Sequence, residues 1–300
     1  MKRALPPEIA LRLAALSPAQ RELLQRRLQQ QGFDVPLVTD LDAETVLPED
    51  LRPRWSGTPS PAPSRVLVTG ATGYLGAHLV AELVRRTEAQ VICLVRTPGA
   101  SEAARRLEQN FARYDLRIPM DRVDAVPADL GLPDAGLSPS DWRRLAEELD
   151  GIYHSAAFLN FVYPYEGFVP PNVAGTRELL RLACEGRPKG FHHVSTTAFF
   201  SLIDHRDLPP VIVEEGTLDL ARHCLGGYAQ SKWVAEKLVA AAGARGLPVT
   251  IHRCGLISGD GATGVSHVGD ILTRMLKGFV ELKSAPAAAT SFSATHLLCA

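Results

Sequence analysis

Long apolar runs are missing from this chain. No stretch of its 300 residues reaches the roughly 18 consecutive apolar side chains of a membrane-spanning helix. The start, MKRALPPEIALRLAAL, is basic, but Glu8 and Arg12 interrupt the apolar core that a secretory leader needs. Charge of one sign is equally scarce: 32 Lys and Arg stand against 33 Asp and Glu, interspersed, for a net charge of −1. There is no basic block to follow nucleic-acid phosphates and no acidic tail, so neither nucleic acid nor a membrane is an expected partner. Cysteine is sparse and scattered (Cys93, Cys184, Cys224, Cys254, Cys299), without a C-x-x-C pair or metal-like spacing. An odd, dispersed set reads as reduced thiols in a cytoplasmic protein. His192 and His193 are adjacent and the other histidines isolated, so no metal site is expected and satisfied polar or core histidines are read instead.

What the chain does have is core: 46% hydrophobic residues over this length suffice for one large domain or two. Residues 1–62 read as a helical extension and linker. In SPAQRELLQRRLQQQG, Ser17 is placed to cap a helix, Pro18 to occupy its first position and Gly32 to stop it. Leu23, Leu24 and Leu28 form a narrow apolar stripe on this basic helix, which suits either a surface helix or a docking segment. SGTPSPAPS (56–64) is a Pro/Ser linker.

From residue 63 apolar strand-like runs alternate with amphipathic helical ones. RVLVTG, AQVICLVR, RVDAVPADL, GIYHSAA, GFHHVSTTAFF and PVTIHRCGLISG read as six strands. Between them lie a helix from Ala77, SEAARRLEQNFARYD, SPSDWRRLAEELD (capped by Ser138 or Ser140), NVAGTRELLRLACEG and GGYAQSKWVAEKLVAAAGARG. Helices of this length between strands imply an α/β fold, a doubly wound parallel sheet of the dinucleotide-binding (Rossmann) type over 63–259. Residues 260–300 contain one further helical run, HVGDILTRMLKG, and an alanine-rich tail; they read as a small, incomplete substrate-binding region.

Three glycines, Gly70, Gly73 and Gly76, fall where the first strand turns into the first helix. There a missing Cβ permits a tight turn, close approach of backbone N–H groups to a phosphate, and close helix–strand packing. The acidic residue that would grip an NAD ribose, about twenty residues further on, is replaced by Arg96. A guanidinium suits a phosphate, which favours NADPH; Arg106 can fold back to help, or be an ordinary helical arginine. Asp129 can accept from an adenine amino group or merely cap its turn. Tyr228 and Lys232, four apart on a helix, share one face, where an ammonium is expected to lower the phenol's pKa. Ser195, Thr196 and Thr197 end the fifth strand, where a hydroxyl can donate to a substrate carbonyl.

Together, LVTGATGYLGAHLVAELV, CLVR, VPADLGLP, IYHSAA, PYEGFVPPNVAGTRELLRLA, HVSTTA, GYAQSKWVAEKLV and HRCGLISGDGATG resemble the extended short-chain dehydrogenase/reductase superfamily. More narrowly they are similar to the thioester reductase domains of nonribosomal peptide and polyketide synthetases and of carboxylic acid reductases, over roughly residues 39–280. The resemblance implies NADPH-dependent reduction of an acyl or peptidyl thioester on a phosphopantetheinyl carrier protein, giving an aldehyde or, after a second hydride, an alcohol. It makes Thr196 (Thr197 in reserve), Tyr228 and Lys232 the catalytic set. It assigns cofactor binding to Thr69, Gly70, Thr72, Gly73, Tyr74, Leu75 and Gly76, then to Arg96, Arg106, Asp129 and Leu130. Ser155, Ala156 and Ala157 complete that set with Tyr228 and Lys232, and His154 is expected to line the nicotinamide side. Two departures stand out. Pro170 and Pro171 are expected to break or restart the helix that carries NVAGT, and SAPAAATSFSATHLLCA does not look like the family's C-terminal region. No carrier-type L-G-G-x-S is present. A related enzyme acting on a free sugar nucleotide or ketone, and a silent NADP-binding domain, are the alternatives.

Overall fold

The computed structural model describes residues 3–4, 24, 27–28, 31, 33–34, 40–160, 162–201, 224, 226–267, 269–285 and 297–298. The chain divides into two compact units, Met1–Glu44 and Thr45–Ala300. In the first, Arg3–Ala4 pairs in parallel with Phe33–Asp34. Asp40 caps a single helical turn, Leu41–Glu44, by accepting from the backbone N–H of Asp42 at 3.1 Å. The helix expected over 17–32 falls mostly outside the described residues; of it Leu24, Arg27 and Leu28 are described and are helical.

The second unit is built on six strands: β1 (Arg65–Thr69), β2 (Gln90–Val95), β3 (Val123–Pro127), β4 (Gly151–His154), β5 (Gly190–Thr196) and β6 (Val249–Cys254). All pairings between them are parallel, and the spatial order is β3-β2-β1-β4-β5-β6. Five helices alternate with them: α1 (Tyr74–Arg86), α2 (Ala100–Arg113), α3 (Pro139–Glu148), α4 (Gly175–Cys184) and α5 (Gly227–Ala244). The doubly wound sheet expected from the alternation is therefore present, and its strand order reverses between β1 and β4.

Because strand side chains alternate, each sheet face has its own core. Val66, Val68, Val91, Cys93 and Val95 pack under Ala77, Val80 and Leu83 of α1 and Leu107 and Phe111 of α2. Leu67, Ile92 and Ile152 point to the other face and are fully buried, as are Leu179 on α4 and Trp233 and Leu238 on α5. Ser138 is the cap of α3, accepting from the N–H of Asp141 at 3.1 Å.

Residues 45–64 strap the helices' far ends. The Trp55 indole donates to the Ala183 carbonyl at 2.9 Å, and the Arg54 N–H to that of Cys184 at 2.8 Å. The Arg245 guanidinium donates to the carbonyls of Leu47 and Leu51, both at 3.1 Å. The strap thus satisfies last-turn carbonyls of α4 that no intrahelical N–H reaches.

Pro170 and Pro171 restart the helix, one of the two outcomes expected of them, and do not break it. A π-helical turn, Val169–Ala174, contains them and runs directly into α4. At a helix's first positions the missing N–H has no partner to lose, and the wider turn accommodates the rings. After β6, Leu256–Ile257 pairs in parallel with Leu297–Leu298. A last helix, α6 (Ile271–Leu282), is capped by Asp270 and begins four residues later than HVGDILTRMLKG suggests. It buries none of its residues.

Candidate functional site

At the carboxyl ends of β1 and β4, where the strand order reverses, a cavity of about 490 Å³ opens. Its floor is the turn between β1 and α1: Thr69, Gly70, Thr72, Gly73, Tyr74, Leu75 and Gly76 all line it. The turn is shaped by what a side chain would strike. Gly70 has φ +79°, and a Cβ there would lie 2.8 Å from the backbone nitrogen of Ala156. A Cβ on Gly76 would lie 2.1 Å from the Gly70 carbonyl oxygen. Asn110 of α2 holds the turn from behind, its amide donating to the carbonyls of Ala71 (3.1 Å) and Gly73 (3.2 Å). Those carbonyls are thereby engaged, while α1 starts from Gly73 with no side-chain cap, so its first-turn N–H groups have no side-chain acceptor, and Tyr74, Leu75 and Gly76, which carry them, line the cavity. That cradle fits a dinucleotide pyrophosphate.

Behind it runs a polar chain whose side chains, Thr69, His154 and Thr176, are buried. Ala156 N–H donates to Thr69 Oγ1 (3.1 Å), Thr69 Oγ1 meets His154 Nδ1 (2.8 Å), His154 Nε2 meets Thr176 Oγ1 (2.9 Å), and Thr176 donates to the Asn172 carbonyl (2.6 Å). Because Thr176 has spent its hydrogen, His154 Nε2 carries the proton and Nδ1 accepts from Thr69. Burial pushes the His154 imidazole down to about 3, with the Lys232 charge adding to the effect. His154 is 1% exposed and does not line the cavity; it is a neutral strut under the Ser155–Ala157 backbone, which corrects the expectation that it borders the nicotinamide.

Arg96 and Arg106 both line the cavity's outer side, and the Arg106 guanidinium folds back to donate to the Arg96 backbone carbonyl. Asp129 and Leu130 line it too, with Asp129 Oδ1 accepting from the Gly131 N–H at 2.9 Å, the turn-capping alternative. Ser155, Ala156 and Ala157 border it from the end of β4.

Of the expected catalytic set, Tyr228 alone reaches the cavity wall. Burial, with a smaller contribution from Cys254, pushes its phenol up to about 12. The expected lowering by Lys232 is not what the structure gives. The Lys232 ammonium, 3% exposed, donates to the Val194 carbonyl at 2.7 Å and approaches His193 Nε2 at 3.4 Å. Burial pushes it down to about 8, opposed by Glu236 and Cys254. Thr196 ends β5 half-buried outside the lining, its Oγ1 accepting from the Ala198 N–H at 3.0 Å. Thr197 instead donates to the Cys254 carbonyl, at 3.4 Å from Oγ1 and 2.9 Å from the backbone N–H.

Several residues at the site escaped the sequence reading. Leu94, Ala128, Phe158, Leu159, Pro171 and His267 also line the cavity. His267 arrives on the loop after β6, tied by its Nδ1 to the Tyr114 hydroxyl (3.1 Å) and by the Tyr74 hydroxyl donating to the Val265 carbonyl (2.9 Å). The Asn172 amide brackets the Phe158 backbone (2.7 and 3.0 Å) and donates to Ser231 of α5 (3.0 Å), joining the β4 loop to the helix that carries Tyr228. The asparagine of NVAGT was the available signal.

A six-stranded parallel sheet in this order, with a glycine cradle at its reversal point, defines a Rossmann-type nicotinamide dinucleotide-binding domain. The chain belongs to the NAD-binding family described as Male sterility protein, whose sequence profile matches residues 68–297. Among solved structures it is similar to the terminal R domain of the myxalamid PKS-NRPS biosynthetic pathway: TM-score 0.74 and 43% identity, covering 82% of this chain and 62% of that one. It is similar also to a thiolation-reductase di-domain from an archaeal nonribosomal peptide synthetase, with TM-score 0.61 and 25% identity over 73% of this chain and 46% of the other. The isonitrile lipopeptide synthase of Streptomyces coeruleorubidus is 37% identical over 273 residues, which is 89% of this chain and 18% of that protein. The chain thus spans a small part of that relative and under two thirds of either solved structure. Among the described residues, no helix is long and apolar enough to cross a membrane.

Proposed function

We propose that the chain is an NADPH-dependent reductase of acyl or peptidyl thioesters presented on a phosphopantetheinyl carrier protein. The carrying observation is that Tyr228 enters the same cavity as the glycine cradle, with Lys232 buried one turn behind it. Similarity to reductase domains of assembly lines, one of them joined to a thiolation domain, supports the substrate class. Gly70, Gly73 and the N–H groups at the start of α1 would hold the pyrophosphate, Arg96 and Arg106 the ribose 2′-phosphate that distinguishes NADPH, and Asp129 the adenine side. When bound, the cofactor supplies a hydride to the thioester carbonyl.

The chain's own groups do the rest. A phenol held near 12 stays protonated at neutral pH, so Tyr228 is a hydrogen-bond and proton donor to the developing oxyanion. Thr196 accepts from Ala198 with its oxygen and keeps its hydrogen to donate, whereas Thr197 spends its own on Cys254; Thr196 is therefore the second donor. Lys232 would hold positive charge one turn behind Tyr228, on the side of the cofactor's ribose. Collapse of the hemithioacetal releases the pantetheine thiol and an aldehyde, so one thioester, one NADPH and one proton give one aldehyde, one thiol and NADP⁺. The dispersed cysteines support a cytoplasmic site of action; Cys93, Cys184, Cys224 and Cys254 are free thiols.

The test is incubation with NADPH and a panel of acyl-pantetheine thioesters, with products identified by mass. Aldehyde and free thiol in equal amounts are expected. Reduction of free ketones or sugar nucleotides with thioesters left intact would refute the reading.

A further inference from the structure

One buried ionised residue near the site has no part in the mechanism above. Glu236 is 0% exposed and lies two turns beyond Tyr228 and one beyond Lys232, on the same face of α5. Its Oε2 accepts from the Ser195 hydroxyl, and its Oε1 from Nε and a terminal nitrogen of Arg253, both at 2.8 Å. Ser195 and Arg253 are register partners on β5 and β6, so they stand side by side on the sheet. The residues that follow them, Thr196 and Cys254, are register partners too. One carboxylate therefore pins the ends of two strands to the helix that carries Tyr228 and Lys232.

The same carboxylate is placed to act on Lys232. Around that ammonium stand the Val194 carbonyl and His193 from β5, Cys254 from β6, His154 from β4, and Tyr228 and Glu236 from α5 itself. Burial keeps both histidines neutral and holds the Tyr228 phenol and the Cys254 thiol protonated. Among these groups Glu236 bears the negative charge, in surroundings that screen it poorly. Arg253 engages the carboxylate's other oxygen, Oε1, from β6.

We propose that Glu236 is a positioning residue with two linked tasks: it clamps the Thr196 end of β5 to β6, and it keeps Lys232 charged beneath the cofactor. The proposal rests on Lys232 being a cofactor ligand, but not on the identity of the substrate.

The experiment is NADPH titration by fluorescence from pH 6 to pH 9.5 on the full chain and on Glu236→Gln, which keeps the side chain's shape and removes its charge. Parent affinity falls as Lys232 loses its proton. In Glu236→Gln that midpoint moves down by about one pH unit, which makes binding about fivefold weaker near pH 8, approaching tenfold by about pH 9, and little changed at about pH 6. Ser195→Ala, which deletes a hydrogen bond and keeps the charge, leaves the midpoint in place. Superimposable profiles for parent and Glu236→Gln, or an equal loss at every pH, overturn the proposal while leaving Lys232 as a cofactor ligand. A parent profile with no fall at all overturns both. Should Glu236→Gln not fold, Arg253→Met removes the cation that shares the carboxylate, and the midpoint must then move up; an unmoved or lower midpoint overturns the proposal.

Discussion

The Lys232 ammonium donates to the carbonyl of Val194 at 2.7 Å, so its hydrogen bonding runs into β5, two residues before Thr196, and not to the phenol one turn back on its own helix. Tyr228 and Lys232 are in consequence two separate devices. The tyrosine is a protonated donor in the cavity wall, and the lysine is a buried charge below it.

Tyr228→Phe should leave NADPH affinity close to that of the parent and lower thioester reduction by about 10²–10⁴, the usual contribution of a positioned acid–base group. Fluorescence titration and steady-state turnover on one preparation check both halves. Near-parental turnover would remove Tyr228 from the mechanism.

The lysine sets the pH dependence. Its pKa is lowered to about 8, so the charged form dominates below that pH and is lost as pH rises through it. NADPH binding and turnover should both decline above pH 8. Lys232→Met should bind NADPH more weakly at pH 7 and show a flat binding profile across the same range. A decline that survives in Lys232→Met would belong to another group.

Arg96→Ala should weaken NADPH binding roughly tenfold or more, the worth of one charge-assisted hydrogen bond to a phosphate, and leave NADH binding nearly unchanged. Paired titrations of the two cofactors decide it. Equal losses for both would make Arg96 a structural residue.

Gly70→Ala places a side chain at φ +79° and a Cβ 2.8 Å from the Ala156 nitrogen. Backbone strain alone costs about 1–2 kcal/mol, and the β4 loop must also move away from the cradle. A lower thermal midpoint together with lost NADPH binding is expected. Parental values in both measurements would contradict the cradle geometry.

Lys189 is a structural counterpart to Lys232. Fully buried, it donates to the carbonyls of Ala146 (2.9 Å), Glu185 (2.6 Å) and Arg187 (2.8 Å), joining the end of α3 to the turn after α4. Burial is the largest influence on it and lowers its pKa from 10.5 to about 8. Between those values the unfolded chain holds more of this proton, so the residue's contribution to stability rises with pH across that window and is smallest below it. Lys189→Met strands the carbonyls of Glu185 and Arg187, while that of Ala146 keeps the Arg187 N–H at 3.2 Å, and should be destabilised by a few kcal/mol, about 1–3 kcal/mol for each group left unpaired before any relaxation. Its stability deficit relative to the parent, from urea unfolding at pH 7.5 and pH 9.5, should widen at the higher pH; a constant deficit would rule out the titration of Lys189.

The sheet and its helices were legible because buried parallel strands must be continuous apolar runs, and the crossover helices must show an amphipathic period to cover them. The cradle was legible for a related reason. Gly70 needs a positive φ and Gly76 a close carbonyl contact, and glycine alone accepts both. A cap at Ser138 or Ser140 was readable because capping uses only neighbouring backbone, and the structure chose Ser138. For Pro170 and Pro171 the sequence left breaking and restarting the helix open; the structure restarts it on them, in a first turn where no N–H is required.

The sequence by itself therefore determined everything that depends on near neighbours: which segments are strands, where the glycine turn lies, that Arg96 follows β2, and that Tyr228 and Lys232 share a helix face. Only the tertiary structure decided where the polar groups on those elements find their partners. It turned His154 inward between Thr69 and Thr176, set Asn110 behind the cradle, drew Lys232 to Val194, and closed Glu236 on Ser195 and Arg253. Each partner in these pairs comes from a different segment of the chain. A buried polar group must be satisfied by whatever the fold brings within about 3 Å, and that distance is settled by the packing of the whole sheet rather than by local spacing.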